Sequence, residues 1–215
     1  MRLITLLSKM LNWTKFLGVI IDEKLTWIPH TDYLAKKISK SIGILMRLKG
    51  YLTSDSLVNM YYAFIYPYYH YCNEVWGNAY TTHVRRLYVL QKRAIRIIAK
   101  VEPLAHSSAL FSKLKILTVP SISLQLTAQF MFRMHRHQLP SLFDDMFIRN
   151  VDVHHYNTRQ SKDFHVPLVR TNTTKMTISY KGVIIWNDIN KIVNTNFSLA
   201  AFKSNLKKYL LQQQV

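Results

Sequence analysis

Asp144 and Asp145 stand side by side after Leu142-Phe143. Adjacent carboxylates are what two-metal phosphoryl transfer requires, since they hold two divalent ions about 3.5 to 4 Å apart. A working Tyr/Phe-x-Asp-Asp site would have an aromatic residue where Leu142 stands, and would add a carboxylate from a preceding strand; the sequence supplies neither. The pair therefore reads as the solvated acidic start of a helix, and no catalytic residue is assigned. His70-x-Cys72, His135-x-His137 and His154-His155 bring metal-ligand types close together, yet no C-x₂-C accompanies them. They read as surface or phosphate-proximal histidines, and no metal is expected. Cys72 is the single cysteine, so no internal disulfide forms, and beside aromatic neighbours it reads as a packing residue.

The side chains with the clearest binding chemistry are cationic. The chain carries 29 Lys and Arg against 11 Asp and Glu, for a formal charge of +18. The excess is spread evenly, with 15 basic against 5 acidic residues in positions 1–100 and 14 against 6 in the remainder. A folded chain this basic fits best beside a polyanion, of which nucleic-acid backbone is the commonest; ribosomal, mitochondrial and anionic-membrane proteins share the composition. No apolar run approaches the roughly 18 residues that cross a bilayer.

Helical periodicity places the cations. From about His83 to Lys100, Arg85, Arg86, Lys92, Arg93, Arg96 and Lys100 fall within an arc of roughly 120° at 100° per residue, opposite Leu87, Leu90, Ala94, Ile95, Ile97 and Ile98. No acid stands between Glu74 and Glu102. Solvated helix faces usually mix signs, so this one reads as a phosphate-contacting surface. An earlier helix, expected to be capped by Thr31 or Asp32, sets Leu34, Ile38, Ile42 and Leu45 inward and Lys36, Lys40 and Arg47 outward, and ends at Lys49-Gly50.

Between them, Thr53-Ser54-Asp55 caps a helix with Leu57, Tyr61 and Phe64 on its inner side, broken at Pro67. Six tyrosines lie from Tyr61 to Tyr71. Tyr61, Tyr68 and Tyr71 are spaced for one helix face, so the cluster reads as core with hydroxyls at its edge, against the alternative of base stacking. Beyond Glu102-Pro103 a boundary is expected. Ser121 to Arg136 predicts a helix with Ile122, Leu126, Phe130 and Met131 inward. Met176, Ile178 and Tyr180 alternate as a short strand would. A last helix, capped by Ser198, packs Leu199, Phe202, Leu206 and Leu210 and exposes Lys203, Lys207 and Lys208.

Near the start, Phe16-Leu17-Gly18-Val19-Ile20-Ile21-Asp22 predicts a buried strand with a bulge or close approach at Gly18, closing in a turn at Asp22-Glu23-Lys24. This run resembles the "FLG" strand ending the palm of non-LTR retrotransposon reverse transcriptases, jockey-like or related. Further pieces follow in that family's order. Ile38 to Lys49 resembles its first thumb helix, Pro67…Tyr71-Cys72…Val75-Trp76-Gly77 its "P…YC..VWG" segment, and Leu90 to Arg96 its "LQKRAIR" helix. Leu139-Pro140, His155-Tyr156-Asn157-Thr158-Arg159, Arg170-Thr171, Tyr180-Lys181-Gly182 with Ile185-Trp186-Asn187, and Phe202-Lys203…Leu206-Lys207 resemble its C-terminal region. The resemblance runs over roughly residues 15 to 212.

The resemblance implies a mainly α fold: a palm-end remnant over 1–29, a thumb-like helical domain over 30–101, and a helical C-terminal domain over 102–215 with minor β content. It puts Phe16, Leu17 and Gly18 at the primer grip. The family's activity is RNA-directed DNA polymerisation. Its aspartate pair and Mg²⁺ belong to the palm ahead of residue 15, so this chain is expected to hold RNA and DNA, as template-primer or element RNA, beside the remainder of a polymerase and to polymerise nothing alone. Arg159 and Arg170 either clamp phosphates or bond backbone carbonyls. The rival expectation is a degenerate transposon-derived protein without activity, or a helical interaction module. Met1 to Trp13, basic and apolar at helical spacing, fits either a palm remnant or a mitochondrial presequence; otherwise nucleus or cytoplasm is expected.

Overall fold

The computed structural model describes residues 12–153, 159–193 and 198–214. The expectations for Met1 to Leu11 and for His154 to Thr158 lie outside these residues.

Among the described residues the fold is mainly helical, and the sheet is one antiparallel hairpin of β1 (Trp13–Phe16) and β2 (Val19–Asp22). Phe16 pairs with Val19 and Lys15 with Ile20. The expected single strand over Phe16–Asp22 is therefore two strands. Leu17 and Gly18 form the turn, both at positive φ, 44° and 86°. That is the two-residue hairpin geometry whose twist matches the strands, so Gly18 marks a reversal of the chain and not a bulge. Val19, Ile20 and Asp22 are buried, whereas β1 is exposed throughout.

Helix α1 (Ile28–Leu48) starts three residues before the expected cap. Asp22 explains the early start: its carboxylate accepts from the Thr26 and Trp27 amides, both at 2.8 Å, and from the Thr26 hydroxyl at 2.9 Å. Pro29 then occupies the first helical turn, where its missing N–H costs nothing. Leu34, Ile38, Ile42 and Leu45 are buried as the spacing requires. Thr53 caps α2 (Ser54–Phe64) through its hydroxyl. Leu57 and Tyr61 point inward, but Phe64, expected there, is 52% exposed because the helix breaks at Ile65. Two short helices follow, α3 (Tyr66–His70) and α4 (Asn73–Trp76), and then α5 (Thr81–Ile98), which carries the basic face.

After α6 (Ser108–Lys113), helix α7 (Val119–His135) runs through the middle of the protein, capped by Thr118. Even its polar Thr127, Gln129 and Ser123 are buried. It packs against α3, α4 and α5 on one side and against the C-terminal helices on the other. One hydrophobic core consequently extends from Leu34 to Leu210.

A 3-10 turn spans Ser141–Met146, α8 spans Asn150–Val153 and α9 spans Asn172–Lys175. The strand expected at 175–180 is absent: Ile178–Gly182 forms a π-helical turn leading into α10 (Val183–Ile192). Among the described residues no strand pairs with it, and Gly182 sits so close to α7 that an added Cβ would meet Met131 Sδ at 3.0 Å. Ser198 caps α11 (Leu199–Gln212), and Phe202, Leu206 and Leu210 are buried. Of the three lysines expected outward there, Lys208 is exposed while Lys203 and Lys207 are half-buried, with the Lys207 ammonium 5.9 Å from the Tyr62 ring centroid.

Candidate nucleic-acid interface

Helices α1 and α5 pack side by side, which makes one surface of two predicted faces. On α1, Lys36, Lys40 and Arg47 are all exposed. On α5, Arg85, Arg86 and Arg93 are exposed, and Lys100 is exposed just past the helix end, at φ 57°. Asp32 stands one turn before Lys36 and accepts from Arg86 at 2.7 Å, so the basic faces adjoin at this pair. Both partners remain open to solvent, at 61% and 49%. Such a pair contributes about 0 to 1 kcal/mol, and its effect here is to orient Arg86.

The six α5 cations are not equivalent. Arg96 is half-buried and donates from Nε to the Ala105 carbonyl at 2.7 Å, tying α5 to the following loop. Lys92 lies over the Tyr88 ring, 4.2 Å from its centroid. Among the described residues, Arg85, Arg93, Lys100, Lys36, Lys40 and Arg47 have no carboxylate within ion-pair distance. Two further cations escape the sequence reading: Lys15 on β1 and Lys37 on α1 flank the Tyr33 ring at 5.2 and 5.7 Å. The Lys36-Lys37 doublet was a visible signal. Lys15 needed the hairpin, which carries it over the Tyr33 ring of α1.

At the hairpin tip, Phe16 and Leu17 are 63% and 73% exposed. The tip is nevertheless anchored. Tyr71 donates its hydroxyl to the Leu17 carbonyl at 2.6 Å, and Gly18 lies against the Tyr71 ring. Ile20 donates its amide to His30 Nδ1 at 3.3 Å, and His83 contacts the Thr26 carbonyl at 2.9 Å through Nδ1. His30 is buried beside Trp76, and that burial pushes its imidazole down to about 4. Asp22 is the reverse case: burial opposes its charge, but the hydrogen bonds from Thr26 and Trp27 outweigh that and lower it below the usual carboxylate range. Both groups fasten the hairpin to α1.

Several motif residues hold the scaffold. Gln91 is buried and makes three hydrogen bonds: Nε2 donates to the Tyr61 hydroxyl at 2.8 Å and to the Leu117 carbonyl at 2.9 Å, while Oε1 accepts from the Val119 amide at 2.8 Å. It thereby joins α5, α2 and the start of α7. Tyr61 and Tyr69 are fully buried, and burial raises both phenols well above their ordinary value. Tyr71 is exposed at the hairpin, so the face expected to join it with Tyr61 and Tyr68 is divided by the break before α3. Trp76 donates to the Tyr71 carbonyl at 2.9 Å, and Gly77 is required because a Cβ would strike Asn73 Oδ1. Asn187 receives the Phe164 amide at 3.1 Å and donates to its carbonyl at 2.8 Å.

Asp144 and Asp145 are exposed on the 3-10 turn. Among the described residues no group of three His, Cys, Asp or Glu side chains is placed to hold a metal. Arg159 and Arg170 are exposed and stand outside α1 and α5; Arg96 and Arg149 donate to backbone carbonyls, the latter to that of Lys162 at 3.2 Å. No described helix is long and apolar enough to cross a membrane.

Comparison with known proteins returns mobile-element polymerases. The chain is 28% identical over 131 residues to the probable RNA-directed DNA polymerase from transposon X-element of Drosophila melanogaster, covering 59% of this chain and 14% of that protein. It is 26% identical over 126 residues to the probable RNA-directed DNA polymerase from transposon BS of the same species, covering 57% and 14%. With the RNA-directed DNA polymerase from mobile element jockey of Drosophila funebris it shares 32% identity over 88 residues, or 40% and 10%. The matched segment thus spans between a tenth and a seventh of the length of these relatives. No protein-family model and no solved structure matches. The chain is reverse-transcriptase-like, similar over part of its length to the RNA-directed DNA polymerases of Drosophila mobile elements.

Proposed function

We propose that this chain is a nucleic-acid-binding part of a retrotransposon RNA-directed DNA polymerase, which holds template-primer against the joined basic faces of α1 and α5. The observation that carries this reading is the set of six exposed cations, Lys36, Lys40, Arg47, Arg85, Arg93 and Lys100, without ion-pair partners among the described residues. Like charges on a shared surface repel, and a phosphate backbone removes that cost while releasing its counterions. Resemblance adds the hairpin tip: Phe16, Leu17 and Gly18 would meet the primer end, with Tyr71 fixing their position. Arg159 and Arg170 belong to this reading as secondary phosphate contacts. The role assigned to these residues is holding; the bond-making carboxylates and their Mg²⁺ are not among them.

The test is binding of an RNA–DNA hybrid as a function of salt. Six phosphate contacts predict a slope of log K against log salt of about −5 on duplex. Absence of binding at about 50 mM salt, where backbone contacts are strongest, overturns the proposal and favours a helical interaction module.

A further inference from the structure

Beside the basic face, where α5 begins, a cavity of about 530 Å³ opens against α7 and α10. Its walls are apolar, supplied by Val84, Tyr88, Pro120, Leu124 and Ile185. Arg85 and Lys181 stand at its border, and no carboxylate lines it. Ser123 also lines it, with its hydroxyl closed off from the open space of the cavity. Lys181 is half-buried, and burial holds its ammonium below the ordinary lysine value, so a nearby anion would stabilise its charged form.

These features describe a ligand with an apolar body and an adjoining negative charge. Arg85 also belongs to the basic face, which connects the cavity to the surface where a backbone would run. We propose that the cavity receives one unpaired nucleobase of a bound single strand, its faces against Val84, Leu124 and Ile185 and its flanking phosphate between Arg85 and Lys181. Single-stranded segments are the ones whose bases are free to splay out of a stack in this way. The volume lies within the range of small-molecule sites and exceeds what one base needs, leaving room for its sugar. This inference rests on the nucleic-acid-binding reading above and adds a preference for bases over bare backbone.

The experiment compares an oligothymidylate of about 15 nucleotides with an equally long strand of abasic sugar-phosphates, both titrated into the full chain. The two strands carry the same charge. The wild-type chain should bind the thymidylate about tenfold more tightly. Ser123→Leu, which fills the cavity, and Thr82→Leu, which closes its mouth from an exposed position, should each bring the ratio close to unity while leaving hybrid-duplex binding and its salt slope unchanged. Thr82→Leu lies on the solvent side of α5, so it reports even if Ser123→Leu does not fold. Equal wild-type affinities, or a ratio that survives both substitutions, overturn the base pocket and leave backbone binding standing. Failure of both strands and the hybrid to bind at about 50 mM salt ends both proposals.

Discussion

The Tyr71 hydroxyl reaches across 54 positions of sequence to the Leu17 carbonyl, 2.6 Å away. Leu17 occupies the left-handed region at φ 44°, a conformation disfavoured by about 1 to 2 kcal/mol for a residue with a Cβ. The tyrosine thus stabilises a turn that the leucine opposes, and it does so at the point where two large apolar side chains are held out into solvent.

Tyr71→Phe should keep the ring against Gly18 and lose the bond. Amide exchange across Trp13–Asp22 should become several-fold faster, with α5 exchange unchanged. Unaltered hairpin protection would show that the β1–β2 pairing fixes the turn by itself.

Gln91→Leu should lower stability by about 2 to 4 kcal/mol in urea denaturation, since it strands the Val119 amide and the Tyr61 hydroxyl in the core. A conventional surface reading of this helix would predict almost no change.

The α5 cations should separate into two classes. Arg85→Ala should reduce the magnitude of the duplex salt slope by about 0.9 and leave the melting temperature alone. Arg96→Ala should instead cost about 1 to 2 kcal/mol of stability, because its guanidinium is already committed to the Ala105 carbonyl. Equivalent behaviour of the two variants would mean that the bond to Ala105 is not formed.

Stability should fall with acidity before any carboxylate titrates. His30 titrates at about 4 when folded against 6.5 when free, so below about pH 6.5 the unfolded chain binds the extra proton. The stabilisation is complete above that pH and is lost as pH falls toward about 4. Between about pH 7 and pH 5 the loss from His30 is on the order of 2 kcal/mol. His135, lowered by burial and then by Arg149, Arg136 and His137, acts in the same direction. His30→Asn, which retains an acceptor for the Ile20 amide, should flatten most of this dependence; a full acid slope in that variant would place the sensitive group elsewhere.

Gly77→Ala should be destabilising by about 1 to 3 kcal/mol, since the new methyl collides with a buried Asn73 side chain that is itself bonded to the Tyr69 carbonyl. Thermal melting of this single variant measures it, and an unchanged melting temperature would show that Asn73 has room to turn away.

Local sequence determined what depends on spacing alone. Apolar residues three and four apart defined the inner faces of α1, α5 and α11, and the hydroxyls of Thr53 and Ser198 marked helix starts, because helix geometry and capping are settled within one or two turns. The same spacing grouped the cations, and ordered motifs carried the resemblance to mobile-element polymerases. Tertiary structure decided which of those residues are spent on the protein itself. Arg86 faces Asp32, Arg96 holds a loop carbonyl, Gln91 is sealed inside, and Tyr69 in place of Tyr68 enters the core; each outcome depends on partners far along the chain. The hairpin and the turn at 178–182 differ from their expectations because a strand exists only where a neighbouring strand can satisfy its backbone, and neither a β-branched apolar run nor period-two alternation carries information about that neighbour.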